Sequence, residues 1–147
     1  MKKFLLPLMA AFLLLATGCS KDARVVTLYY TVNPGEWQQN ADDGGYGYYY
    51  AECQCPELTP DVIMDGAVTA YYLENSGGYS YDNQLPYLVP YYVNADDGTS
   101  SLYFENVRYD LSENFVTFII QQSDNWAGSE SRPTRQMKFK VCIIANR

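Results

Sequence analysis

The chain has 147 residues, 48 % hydrophobic and 18 % charged, with ten Lys/Arg against seventeen Asp/Glu and no histidine. That is enough for one domain with an appendage and too apolar for wholesale disorder. The missing imidazole removes the usual general base, the commonest metal ligand and the His-based triads, and a net charge of −7 argues against nucleic acid and anionic headgroups as partners.

The chain opens on Lys2 and Lys3, followed by an apolar run from Phe4 to Leu15 broken only by Pro7. This has the form of a signal-peptide core and is too short for a permanent membrane span. Leu15-Ala16-Thr17-Gly18-Cys19 resembles a bacterial lipobox, with Ala16 where Leu is usual. An ordinary secretory peptide needs an A-x-A-like cleavage site, which Thr17-Gly18-Cys19 fits less well. The resemblance implies cleavage before Cys19 and a diacylglycerol and acyl chain on that residue. Two or more acyl chains hold a protein stably on a membrane. Ser20 after the cysteine points, by the same resemblance, to the outer membrane. Ser20-Lys21-Asp22 resembles a weak form of the acidic surface-export signal of Bacteroidetes-type lipoproteins, so the periplasmic face and the cell surface both stay open. The expected organisation is a signal peptide over 1–18, a lipid anchor and tether over 19–24 and one domain over 25–147.

Beyond the tether the sequence alternates. Val26, Leu28, Tyr30 and Val32 share one face of a strand, and Val25, Thr27, Tyr29 and Thr31 the other. Further strands are expected over Tyr46–Glu52, Ala67–Leu73, Leu85–Val93, Ser101–Tyr109, Phe115–Gln122 and Met137–Ile144. Turn residues separate them, as in Asn33-Pro34-Gly35, Asp42-Asp43-Gly44-Gly45, Asp65-Gly66, Ser76-Gly77-Gly78 and Asp96-Asp97-Gly98. Leu58–Met64 predicts one helical turn, with Thr59 as N-cap and Pro60 at the first helical position. Pro86 and Pro90 make the Leu85–Val93 run an edge strand or an irregular crossover. The prediction is an all-β fold, an antiparallel sandwich of about seven strands, with a partly open barrel as the alternative.

Asn-Ala-Asp-Asp-Gly occurs twice, at Asn40–Gly44 and Asn94–Gly98. Carboxylates beside glycine suit calcium, but neither copy has a full ligand set. Two similar turns is the favoured reading. Three cysteines remain besides Cys19. Either Cys53 or Cys55 pairs with Cys142, or all three are buried small hydrophobes. The second reading is favoured, because Cys142 shares strand parity with Lys138 and Lys140. Three thiolates without histidine are a poor zinc set, so no metal is expected. No nucleophile elbow, phosphate loop or zinc-peptidase helix is present. Glu52, Glu57, Asp61, Asp65 and Asp124 are nominal carboxylates for a glycosidase, but nothing selects a pair. The expectation is a non-enzyme with no cofactor other than the lipid.

Fifteen tyrosines and two tryptophans are the compositional lead. In the second strand Tyr49, Ala51 and Cys53 are expected to face inward, and Tyr46, Tyr48, Tyr50 and Glu52 outward. Such a row suits a sugar ring or a protein partner, although cross-strand packing accounts for it as well. Trp126 in the polar stretch Ser123–Arg135 is a candidate anchor, with Arg132 and Arg135 as donors beside it. Trp37 is expected as a core plug. The series Trp37, the tyrosine run, Glu57-Leu58-Thr59, Asp65-Gly66-Ala67-Val68-Thr69-Ala70-Tyr71 and Leu85-Pro86-Tyr87 resembles small all-β domains of Bacteroidetes-type outer-membrane lipoproteins of uncharacterised function. The similarity runs from Trp37 to Ile144. It implies lipid anchoring, a sandwich and an envelope location, and supplies no catalytic residue. The expected function is a protein-interaction module of the envelope or cell surface, with glycan capture by Trp126, Tyr46, Tyr48, Tyr50 and Arg132 as the alternative.

Overall fold

Four strands hydrogen-bond into one antiparallel sheet: β1 (Ala23–Val32), β9 (Met137–Asn146), β4 (Ala67–Ser76) and β5 (Tyr79–Gln84), in that order. Five form a second: β2 (Gln38–Ala41), β3 (Gly47–Gln54), β8 (Phe115–Gln122), β7 (Ser100–Ser112) and β6 (Tyr87–Asn94). This is a computed structural model, and it describes residues 23–94, 98–125, 127 and 132–146. The proposed signal peptide, Cys19, Trp126 and residues 95–97 of the second Asn-Ala-Asp-Asp-Gly copy lie outside the described residues.

The sheets are open and stacked, so the fold is the expected antiparallel sandwich, with nine strands among the described residues. The two extra strands are β2, Gln-Gln-Asn-Ala, and β5, Tyr-Ser-Tyr-Asp-Asn-Gln. Both are edge strands with little apolar alternation, so backbone pairing to β3 and β4 holds them in place. The Leu85–Val93 run behaves as its prolines require. The chain crosses between sheets at the cis Leu85–Pro86 bond, and β6, which contains Pro90, is an edge strand.

Period-two alternation fills the core. β9 sends Met137, Phe139, Val141 and Ile143 inward, and β8 answers with Val116, Phe118 and Ile120. Phe118 and Phe139 stack across the two sheets at 3.9 Å and 11°. Trp37 plugs the core as expected, edge-on to Phe139 at 6.4 Å. Two half-buried tyrosines tie the layers together. Tyr30 Oη donates to the Gln54 carbonyl at 3.1 Å, and Tyr109 Oη to the Val68 carbonyl at 3.0 Å.

The connections sort to two ends. The first and last strands meet at one end, where Ala23 is opposite Asn146 and Ala67 opposite Ile144. A short helix, α1 (Pro60–Asp65), lies there, with the Thr59 side chain accepting from Val62 N–H and Pro60 in the first turn, as predicted. Leu58 just before it is fully buried, and its carbonyl accepts from the N–H of Asn114 in the β7–β8 turn. The opposite end carries the β1–β2, β2–β3, β4–β5, β6–β7 and β8–β9 connections. Among them, Gly77 and Gly78 both have positive φ, the requirement of a two-residue type I′ hairpin.

Candidate functional site

The tyrosine row faces outward, as parity predicted. β3 buries Tyr49 and Ala51 and turns half-buried Cys53 toward the core, leaving Tyr48, Tyr50 and Glu52 on the outer face of the second sheet. Tyr46 precedes the strand and is exposed. The turn before it is closed by Asp42, whose Oδ1 accepts from the N–H groups of Gly44 and Tyr46, both at 2.9 Å. That is a side-chain-stabilised turn of the kind expected. Among the described residues no three His, Cys, Asp or Glu side chains converge on a metal-sized space.

The row is locked into its own sheet. Asn40 Nδ2 donates to Tyr48 Oη at 2.6 Å, and Tyr50 Oη donates to Gln38 Oε1 at 2.9 Å. The two rings meet at 6.3 Å and 65°. The Arg108 guanidinium lies 5.5 Å above Tyr48 and donates to Gln121 Oε1 at 2.5 Å. Ile119, cross-strand from both Tyr50 and Arg108, also points to this outer face, yet it is only 3 % exposed. Tyr48, Tyr50 and Arg108 therefore form a cover over an isoleucine that would otherwise meet water.

Arg132 does not join this row. It lies at the loop-rich end between the sheets, donating Nη2 to the Trp37 carbonyl at 2.9 Å. There it lines a cleft of about 330 Å³ with Tyr91, Glu105, Gln122, Arg135 and Met137. The structure does not bring Arg132 together with Tyr46, Tyr48 and Tyr50: the former lies at the inter-sheet end and the latter on an outer face. Burial raises the Glu105 carboxyl above its ordinary range, and Arg135 opposes the rise. Arg135 itself lies 5.9 Å from the Tyr72 ring.

The disulfide alternative is corrected too. Cys53, Cys55 and Cys142 are all free thiols. Cys55 is in the core and Cys53 points toward it, whereas Cys142 projects from the outer face of the first sheet, beside Thr27 Oγ1 at 3.9 Å. A whole sheet separates Cys142 from the other two. Burial, followed by the charges of Glu36 and Glu52, pushes the Cys53 thiol up to about 11. Of the nominal carboxylates, Glu52 is on the tyrosine face, Glu57 precedes α1, Asp61 and Asp65 are on α1, and Asp124 is in the β8–β9 connection.

Sequence reasoning missed a contiguous exposed apolar surface on the second sheet. Register places Leu88, Pro90 and Tyr92 of β6 opposite Asn106, Phe104 and Leu102 of β7. Leu88, Tyr92, Leu102 and Phe104 are 57 %, 70 %, 47 % and 36 % exposed, and Pro90 is exposed as well. All five apolar side chains share the outer face of the second sheet with the tyrosine cover. The signal was the even parity of each run, but only the cross-strand register joins the two runs into one patch.

The molecule is thus a two-sheet antiparallel sandwich whose notable side chains are spread over strand faces. Compared with known proteins, the chain matches no family model, no curated protein and no solved structure.

Proposed function

We propose that this chain is a lipid-anchored outer-membrane lipoprotein whose domain is a non-catalytic protein-interaction module. Its binding face is the outer surface of β6 and β7. The observation that carries the reading is the exposed set Leu88, Pro90, Tyr92, Leu102 and Phe104 on one edge pair of strands. Contiguous apolar surface of this kind on a soluble domain marks an interaction site, and aromatic side chains dominate the energetics of such sites. A protein partner fits better than a glycan. The Tyr48 and Tyr50 hydroxyls are already bonded within the sheet and Arg108 covers Tyr48, so less ring face is left for a sugar. The lipid anchor at Cys19 rests on the lipobox-like sequence, and the sandwich supplies a body for it to carry.

The test is site-specific photo-cross-linking in cells. A photoreactive residue at Tyr92 or Leu102 is expected to give one discrete protein adduct, and the same probe at Tyr29 on the other sheet none. Leu88→Asp, on the same face, should abolish the Tyr92 adduct. Adducts of equal yield from Tyr29 and Tyr92 would remove the basis of the assignment. Protease shaving of intact against lysed cells then reads which side of the membrane carries the domain.

A further inference from the structure

A second exposed apolar cluster lies at the other end of the sandwich. Val25, Ile144 and Ala67 form one cross-strand row on the outer face of the first sheet. Val25 is 64 % exposed and Ile144 44 %. At the same end of the sandwich α1 leaves Ile63 and Met64 exposed, the latter 80 %. The helix is fixed against β9: a Cβ at Gly66 would come within 2.8 Å of the Ile144 carbonyl oxygen, and Val62 lines a groove with Arg24, Val26 and Ile143. Nothing in the core calls for Ile63 and Met64 to be apolar.

The position of the cluster says what covers it. β1 begins at Ala23, two residues before Val25, and four peptide units separate Ala23 from Cys19. Fully extended, those four units reach about 14 Å. A lipid on Cys19 would therefore keep Ala23, and with it this end of the sandwich, within about 14 Å of the anchor. We propose that Val25, Ile63, Met64, Ala67 and Ile144 form a membrane-docking face that seats the domain on zwitterionic lipid. The inference rests on the anchor reading above and adds an orientation to it: α1 toward the membrane, the β6–β7 patch and the five connections away. Asp61 and Asp65 on the same helix disfavour anionic headgroups.

The experiment uses the full lipidated chain purified from its membrane. It is reconstituted in vesicles of phosphatidylethanolamine and phosphatidylcholine that carry a trace of photoactivatable phosphatidylcholine. After illumination, adducts are mapped by mass spectrometry, and the N-terminal peptide is weighed in the same sample. Adducts are expected on peptides covering Pro60–Gly66 and Val141–Asn146, several-fold above the peptide covering Tyr87–Asn94. Ile63→Glu combined with Met64→Glu should reduce them several-fold without changing the lipid mass at Cys19. Lipid on Cys19 with labelling uniform over both ends overturns the docking face and leaves the anchor standing. No lipid mass on Cys19 overturns both.

Discussion

The hydroxyl of Tyr109 leaves β7, crosses the interior and donates to the carbonyl of Val68 on β4. Tyr29, by contrast, stands 70 % exposed on the outer face of β1. Strand parity alone separates these roles, and parity was legible: the two faces of β1, and the inward and outward sets of β3, came from alternation. What the sequence could not show is what the outward tyrosines touch. Tyr48 and Tyr50 bond to Asn40 and Gln38, which lie in a strand with no hydropathic signature, and Arg108 joins them from another part of the chain. Removing this half-buried tie makes a clean test. Tyr109→Phe leaves a carbonyl without its donor and should cost about 0.5–1.5 kcal/mol in urea unfolding. Tyr29→Phe should leave the midpoint where it is.

Among the elements, the seven with apolar alternation and α1 with its Thr59-Pro60 start could be read in advance. β2 and β5 could not, because neither buries a face of its own. Their places come from hairpin geometry, and Gly47 shows how tightly β2 is held. A Cβ there would lie 1.9 Å from the Asn40 carbonyl oxygen and 2.7 Å from Ala41 Cα, both backbone. Gly47→Ala must therefore push β2 off β3, at a cost of about 1–3 kcal/mol or more. Gly35→Ala, with nothing within 4 Å of the added carbon, serves as the control. Thermal melts of the two variants measure the difference. Because Gln38 and Asn40 hold the tyrosine cover, Gly47→Ala should also expose Ile119.

At the scale of the whole molecule, the titrating groups shifted by burial mostly push one way. The Cys53 thiol rises from an ordinary 9.0 to about 11, and the hydroxyls of Tyr30, Tyr72, Tyr91 and Tyr109 are raised as well, in each case first by burial. Below pH 9 the thiol is protonated in both folded and unfolded chains, so its contribution to stability is fully present. Above that the unfolded chain releases its proton first, and stability falls until the folded thiol also ionises at about 11. The tyrosines extend the loss to higher pH. Denaturation midpoints should be flat from neutral pH to about 9 and then fall steadily. Cys53→Ala should flatten the first part of the decline, and an unchanged slope in that variant would show that the thiol is not the group responsible.

The ten-pair register between β1 and β9 has a consequence under load. If, as proposed, Cys19 is held in a membrane and a partner holds the β6–β7 patch at the far end, tension would enter through Ala23 and run along the strands. Hydrogen bonds in an antiparallel ladder lie across that direction. The force then shears β1 along β9 and loads the bonds together, where a pull from the side would open them one at a time. Such an arrangement would suit a tether under drag: the strand nearest the proposed anchor is the one gripped along its whole length.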